Sequence, residues 1–87
     1  MKKIWFEEAW DDYVYWQTQD RKTLKRVNQL LQDISRNSNI SIGKPEPLKH
    51  DLSGWWSREI DDANRIVYRI KDGSLEISQC KGHYKDK

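Results

Sequence analysis

Residues 65–80 read RIVYRIKDGSLEISQC, and this stretch decides the fold of the chain. An Asp-Gly pair between two runs of β-branched and aromatic residues is a strong signal for a hairpin with a two-residue turn. The sequence therefore predicts two antiparallel strands, Arg65–Lys71 and Ser74–Cys80, joined by Asp72-Gly73. A third run of the same character, Trp55–Asp61, precedes them and is predicted to extend an antiparallel sheet.

A two-residue turn fixes which side chains share a face of this hairpin, because side chains alternate along a strand. The pairs on the first face are Ile70 with Leu75 and Tyr68 with Ile77. The second face carries Arg65, Val67, Arg69, Glu76, Ser78 and Cys80. We expect the first face to pack on helices and the second to be open. In this register Arg65 lies opposite Cys80, only three residues before His83.

The N-terminal half predicts one strand followed by two helices. Lys2–Phe6 has the composition of a short strand, and Glu7-Glu8 supplies the acidic first turn of a helix that runs to about Gln19. Asp20 is a suitable N-cap for a second helix over Arg21–Arg36. The apolar stripes expected to be buried are Phe6, Trp10, Tyr13 and Val14 with Ala9 and Trp16 in the first helix, and Leu24, Val27, Leu30, Leu31 and Ile34 in the second.

With 87 residues, the chain forms one small domain, residues 1–87, in which few large side chains must carry the core. We expect most of the five Trp and four Tyr residues to be packing residues, and Asp11 and Asp12 to lie on the solvent side of the first helix. The predicted class is α+β, a small antiparallel β-sheet with a two-helix hairpin packed on one face.

Composition excludes several classes of protein. The single Cys80 rules out an intrachain disulfide, and two His residues without a cluster of Cys or acidic ligands do not make a metal site, so no cofactor is expected. Of the two, His50 is expected on the surface or as a loop anchor. Without an export segment or an apolar run of membrane-spanning length, we expect a cytoplasmic protein with no membrane partner.

Four cations cluster at the start of the second predicted helix, namely Arg21, Lys22, Lys25 and Arg26. A solvated helix face explains this pattern, and so does a contact with an RNA backbone. The net charge of +2 is too small to decide between these two interpretations.

Glu46 lies in a short segment, Gly43-Lys44-Pro45-Glu46-Pro47-Leu48-Lys49, that restricts its backbone. Pro47 disfavours helical conformations at Glu46, and Pro45 has a fixed φ of its own, so the carboxylate is displayed on a stiff, extended stretch. A positioned carboxylate and the distant His83 are a candidate acid/base pair. The alternative is a rigid linker with a solvated Glu.

Several short blocks of residues, spread over nearly the whole chain, form a distinctive combination. They are Ile4-Trp5, Glu7-Glu8-Ala9-Trp10-Asp11-Asp12-Tyr13, Tyr15-Trp16, Gly43 to Lys49, Leu52-Ser53-Gly54, Trp56-Ser57-Arg58, Arg65 with Val67-Tyr68, and His83-Tyr84. In this combination the chain resembles the YoeB (Txe/YoeB) toxins of bacterial type II toxin–antitoxin systems, which are related to the RelE-like ribonucleases.

The resemblance implies a microbial-ribonuclease-like fold and a metal-independent endoribonuclease. Such an mRNA interferase enters the A site of the 70S ribosome, cuts the mRNA there and stops translation until an antitoxin binds it. The implied partners are therefore a cognate YefM-like antitoxin, the ribosome and mRNA. Exposed aromatic residues also make a homodimer an expectation.

The resemblance also implies roles for individual residues. Glu46 matches the general base, His83 the general acid, and Arg65 the arginine that binds the phosphate. Lys49 would add a point charge near the phosphate, and Tyr84 would stack on a nucleotide or bond to the phosphate. For Arg65, the alternative is a structural ion pair across two strands.

The chain departs from the family pattern at two places. Many relatives read Ser-Arg-Arg-Ile where this chain has Ser57-Arg58-Glu59-Ile60, so an acid replaces a cation. If Glu59 shares the face of Arg65, it neutralises part of the phosphate site, while alternation puts Arg58, a candidate substrate contact, on the opposite face. The tail Lys85-Asp86-Lys87 extends past the point where many relatives end.

Two other functional classes fit the same sequence. One is a noncatalytic ParE-like toxin that acts by docking on a protein target. The other is an RNA-binding module without cleavage, which predicts salt-sensitive RNA affinity and no cut product. Loss of activity on replacing Glu46 or His83 discriminates the ribonuclease from both.

Overall fold

The computed structural model describes residues 1–36 and 42–83. The elements in chain order are β1 (Lys2–Trp5), α1 (Glu7–Gln19), α2 (Arg21–Arg36), β2 (Glu46–Pro47), a 3₁₀ turn (His50–Leu52), β3 (Trp56–Glu59), β4 (Arg65–Lys71) and β5 (Ser74–Gln79). The strands form one sheet in the order β1-β5-β4-β3-β2. The predicted α+β class is confirmed.

The sheet is mixed rather than wholly antiparallel. β1 pairs in parallel with β5, whereas the other neighbouring strands are antiparallel. A parallel pair needs a long crossover connection, and α1 and α2 lie between β1 and the remaining strands in the chain. The short strand β2 was not predicted, because a stretch of two residues flanked by prolines has no alternating pattern.

The core lies between the helices and one face of the sheet. Its buried members are Ala9, Trp16, Val27, Leu30, Leu31, Ile34, Ile60, Ile66, Tyr68, Leu75, Ile77 and Cys80. The predicted boundaries of both helices agree with the structure, and the backbone N–H of Thr23 donates to Oδ1 of Asp20 at 3.0 Å, as expected for an N-cap.

The predicted burial of α1 is wrong for three residues. Phe6, Trp10 and Val14 are 41%, 48% and 38% exposed, whereas Ala9 and Trp16 are buried. Ala9 and Trp16 are seven residues apart and lie on one narrow stripe, while Trp10 and Val14 lie about 100° or more around the helix from Ala9. The sheet covers only that stripe of the helix.

Asp12 also departs from the prediction, because it is not simply a solvent-facing carboxylate. Its Oδ2 accepts the backbone N–H of Cys80 at 2.9 Å, just beyond β5. Burial raises the pKa of Asp12, and this effect exceeds the opposing effect of the Cys80 hydrogen bond. The Trp16 indole N–H donates to the carbonyl of Cys80 at 2.8 Å, so α1 holds both backbone groups of that residue.

The Asp72-Gly73 hairpin is confirmed, and so are the predicted pairs on its apolar face. Ile70 pairs with Leu75 and Tyr68 with Ile77, and both turn residues have positive φ, as a type I′ turn requires. The predicted pairing of Arg65 with Cys80 is wrong. A bulge between Val67 and Tyr68 leaves Ser78 as an extra residue in β5 and shifts the register.

The bulge also moves Cys80 off the face predicted for it. The thiol is fully buried in the helix-side core, 3.6 Å from the carbonyl oxygen of Ala9, and burial raises its pKa to about 12.

None of the helices in residues 1–36 and 42–83 has the length and apolar character needed to cross a membrane.

Candidate functional site

The face of the sheet opposite the helices, here called the open face, carries Glu46 and Arg65. Glu46 on β2 pairs with Ser57 on β3, and Arg65 on β4 pairs with Glu59 on β3. Ser57 and Glu59 are two residues apart, so they and their cross-strand partners share a face. Ordinary strand spacings put the Cα atoms of Glu46 and Arg65 about 12 Å apart, on either side of β3.

The backbone around Gly43 and Leu48 anchors β2 against β3. The N–H of Glu59 donates to the carbonyl of Gly43 at 2.6 Å, and the N–H of Leu48 donates to the carbonyl of Trp55 at 2.9 Å. Gly43 has φ +85°, and a Cβ there would lie 2.8 Å from Cδ2 of Leu30, so only glycine fits. This anchoring fixes where the exposed carboxylate of Glu46 is presented.

His83 is exposed and follows a residue that is fixed to the rim of the open face. The N–H of Gly82 donates to Oδ1 of Asn64 at 2.7 Å, and the N–H of Arg65 donates to the carbonyl of Gly82 at 2.9 Å. Arg65 thus bonds to Gly82, one residue beyond the Lys81 that the bulge alone would place opposite it, and His83 lies nearer to Arg65 along the chain than in the predicted register.

Glu59 lies between two cations on this face. Its Oε2 is 3.5 Å from Nη2 of Arg65, and its Oε1 is 4.0 Å from Nζ of Lys44. Glu59 therefore shares the face of Arg65, which was the condition for it to neutralise part of the phosphate site. Arg65 forms the cross-strand ion pair that was the alternative to a phosphate site, and a bound phosphate would have to compete with Glu59 for the same guanidinium.

The structure corrects the assignment of Arg58 as a substrate contact. Its side chain is 0% exposed on the helix side of the sheet and forms an ion pair with Asp33 of α2. Its Nε also donates to Oη of Tyr68 at 3.1 Å, and one amino group donates to the carbonyl of Ile42 at 3.3 Å. Arg58 therefore joins β3 to α2 and does not reach the open face.

Some of the remaining predicted residues lie in the described part of the chain and others do not. Lys49 is exposed and lies just before the 3₁₀ turn, three residues beyond Glu46, and its neighbour His50 is exposed as expected. Tyr84 and the tail Lys85-Asp86-Lys87 lie outside the described residues.

Sequence reasoning missed a second charged pair on the open face. Nε of Arg69 donates to Oε1 of Glu76 at 2.6 Å, and Cζ of Arg69 lies 4.3 Å from the centroid of the Trp55 ring. The alternation of the hairpin placed Arg69 and Glu76 on one face, but no sequence signal indicated that the ring of Trp55 packs on the guanidinium of Arg69. Asn64, which fixes Gly82, was also missed, since its role depends on the shifted register.

Within residues 1–36 and 42–83, no group of three or more His, Cys, Asp or Glu residues is arranged so that it could hold a metal ion.

Comparison with known sequences identifies close relatives over nearly the full length. A family model described as a YoeB-like toxin of a bacterial type II toxin–antitoxin system matches residues 5–84. Toxin YoeB of Escherichia coli K12 is 52% identical over 84 residues, covering 97% of this chain and 100% of that protein. Toxin YoeB of Streptomyces coelicolor is 50% identical with the same coverage.

Solved structures agree. A YoeB/ParE toxin from Agrobacterium tumefaciens superposes with a TM-score of 0.93 at 42% identity, covering 97% of this chain and all of that one. The match to a heterotetrameric YoeB–YefM toxin–antitoxin complex from Staphylococcus aureus has a TM-score of 0.89 at 41% identity, covering 97% of this chain and 98% of that one. YafQ from Escherichia coli, at 15–17% identity, shares the fold. The resemblance seen in the sequence is confirmed, and the chain belongs to the YoeB-like toxins of bacterial type II toxin–antitoxin systems.

Proposed function

We propose that this toxin is a ribosome-dependent endoribonuclease that cuts mRNA in the ribosomal A site without a catalytic metal and so inhibits translation. The observation that carries the proposal is the grouping of Glu46, Arg65 and the backbone next to His83 around one open face. A carboxylate, a guanidinium and an imidazole are the groups that transesterification of RNA requires.

In the proposed reaction the substrate supplies its own nucleophile. Glu46 takes the proton of the 2′-hydroxyl as that oxygen attacks the adjacent phosphorus, and His83 gives a proton to the departing 5′-oxygen. Arg65 and Lys49 offset the negative charge that develops on the phosphorane oxygens. The products are a 2′,3′-cyclic phosphate, or the 3′-phosphate formed by its hydrolysis, and a 5′-hydroxyl.

Strand β3 separates the two sides of this site. The Cα distance of about 12 Å estimated from strand spacing leaves room for a phosphodiester between the side chains of Glu46 and Arg65. Tyr84, the next residue after His83, is proposed to stack on a nucleotide or to bond to the phosphate. The substrate phosphate displaces Glu59 from Arg65, and this competition makes the toxin dependent on contacts that the ribosome provides.

The proposed partners follow from this assignment. A YefM-like antitoxin would cover the open face with an acidic or amphipathic segment that folds on binding, as the existence of YoeB–YefM complexes from Staphylococcus aureus supports. A YoeB dimer is known from the same organism, and the exposed Phe6 and Trp10 are in keeping with a homodimer here. The ribosomal target implies a cytoplasmic site of action.

The test is the single-turnover cleavage rate of Glu46→Gln and His83→Gln on programmed ribosomes. Each substitution is expected to lower the rate by about 10² to 10⁴, the usual contribution of one general acid or base. His50→Gln is the matched control, because His50 is an exposed histidine on the 3₁₀ turn and should cut at the wild-type rate. Wild-type rates for both site variants would contradict the proposal.

One observation favours a second candidate, a noncatalytic toxin that docks on a protein target. The guanidinium of Arg65 is already engaged by Glu59, 3.5 Å away, and a binding protein has no need to release it. This candidate predicts intact mRNA on programmed ribosomes with the wild-type protein.

A further inference from the structure

A groove on the helix side of the molecule lies far from the candidate site. It has a volume of about 700 Å³ and is formed by β1, α1 and α2. Its rim carries Lys3, Arg21 and Lys25, its floor includes Trp5 and Tyr13, and none of the residues that line it is acidic. β1 and β2 form opposite edges of the sheet, so the groove and Glu46 are at opposite ends of the molecule.

Two cations of this groove lie near the start of α2, Arg21 as its first residue and Lys25 one turn later, although that end of a helix favours acidic residues. The N-terminus of a helix carries partial positive charge and favours acidic residues, which α1 has in Glu7 and Glu8. The first turn of α2 contains no acid, and the carboxylate of the N-cap Asp20 accepts the backbone N–H of Thr23. In the described part of the chain, Arg21 and Lys25 form no ion pair. The positive charges of these side chains attract an anion.

The floor of the groove offers aromatic surface and amides beside this charge. The ring centroids of Trp5 and Tyr13 are 4.6 Å apart, and both rings are only partly buried. The hydroxyl of Tyr13 donates to Oδ1 of Asn28 at 2.7 Å, which fixes the ring against α2. Gln29 and Gln32 continue the same side of α2 beyond the cations, and all three amides are exposed.

We propose that this groove binds an RNA strand, separately from the RNA that the candidate site would cut. Arg21 and Lys25 contact successive phosphates, while Trp5 and Tyr13 stack on bases and the amides of α2 reach base edges. An acidic peptide would use the cations but has no need of flat rings and amides, so the observations favour RNA. The groove takes no part in the proposed cleavage, and its binding does not depend on that proposal.

The test measures binding of a 2′-O-methyl oligoribonucleotide, which has no free 2′-hydroxyl and cannot be cut by transesterification. Its affinity is determined over a range of salt concentrations for the wild type and for Arg21→Gln/Lys25→Gln. Loss of two phosphate contacts should lower the slope of log K against log salt by about 1.4 and weaken binding about ten- to thirtyfold at 0.1 M salt. His50→Gln, at an exposed residue that does not line the groove, should bind as the wild type does.

The matched control is Lys2→Gln/Lys71→Gln, which also removes two exposed positive charges. Lys2 and Lys71 both pair with Ser74, at the hairpin end of the sheet and outside the groove. The control should keep its affinity within about twofold, the scatter expected for surface charges with no direct contact. Equal weakening of both double variants would show binding by net charge alone and would overturn the proposal.

A second readout locates the bound strand. In ¹H–¹⁵N spectra the indole N–H of Trp5 and the side-chain amide of Asn28 should shift on addition of the oligonucleotide, and should stay unshifted in Arg21→Gln/Lys25→Gln. Shifts confined to the open face would overturn the assignment of this groove. An oligo-glutamate peptide that shifts the groove signals at lower concentration than the oligonucleotide would overturn RNA as the occupant.

Discussion

At the scale of single residues, Glu59 sets how much positive charge the open face offers. Its carboxylate oxygens lie 3.5 Å from Nη2 of Arg65 and 4.0 Å from Nζ of Lys44. Since all three side chains are partly or largely exposed, water screens these interactions, and each is worth only about 0.2–1 kcal/mol. In the proposed phosphate site, Glu59 would therefore weaken the binding of the phosphate without abolishing it.

Replacing Glu59 with Gln removes the competing carboxylate and is expected to raise kcat/KM for cleavage on programmed ribosomes by about two- to fivefold. Glu76→Gln is the matched control, since it changes the charge equally and frees Arg69 on the same face. Single-turnover rates of the two variants make the comparison. A lower rate for Glu59→Gln, or the same increase in both, would contradict the role given to Glu59.

The ion pair of Arg58 and Asp33 is the contrasting case, because Arg58 is fully buried. Asp33→Ala leaves a buried guanidinium without its carboxylate, and we expect a loss of about 3–5 kcal/mol in the free energy of unfolding. Urea unfolding followed by tryptophan fluorescence measures it. Lys22→Ala, on the same helix, should change stability by less than about 0.5 kcal/mol. A comparable small change for Asp33→Ala would disprove a structural role for the pair.

These residues also show what sequence can predict about the site. Alternation along β3 correctly placed Arg58 on the face opposite Glu59. It could not predict that Arg58 is buried, because that depends on Asp33, 25 residues earlier in the chain. Roles for Glu46, Arg65 and His83 came from residue types and resemblance, and they remain proposals.

At the scale of elements, α1 fixes the end of β5 and with it the start of the segment that carries His83. Both backbone groups of Cys80 bond to α1, one to Asp12 and one to Trp16. The periodicity of α1 predicted a helix but not which stripe would be buried, since aromatic residues lie on several sides of it. The bulge at Val67 and Tyr68 was equally unpredictable, because a bulge adds one residue without a composition of its own.

Asp12→Ala removes the acceptor of the Cys80 N–H and is expected to destabilise the fold by about 1–3 kcal/mol. Asp11→Ala, the exposed neighbour, is the control and should be near neutral.

Asp12→Asn keeps an oxygen that can accept the Cys80 N–H but has no carboxyl group to titrate. Since the folded pKa of Asp12 is raised above its ordinary value of 3.8, the contribution of Asp12 to stability decreases as pH rises from that value through the folded pKa. Asp12→Asn should lack this decrease in denaturant titrations at successive pH values, and an unchanged decrease would contradict the assignment.

At the scale of the whole molecule, the two faces of the sheet differ in what they carry. One face of the sheet holds the core and the buried Arg58, while the other presents Glu46, Arg65 and their neighbours. Hairpin signal, helix caps and apolar periodicity were sufficient to predict this two-layer α+β arrangement. The parallel pairing of β1 with β5 was not predictable from them, since it depends on how the helical crossover returns the chain to the sheet.

Mapping of fragment ends, after the toxin acts on one mRNA that is either programmed on ribosomes or free, tests the proposed cleavage. We expect cuts confined to A-site codons on the ribosome, with 2′,3′-cyclic or 3′-phosphate ends, made by the wild type and lost with His83→Gln. Intact mRNA on the ribosome, or fragments ending in a 3′-hydroxyl, would contradict the account.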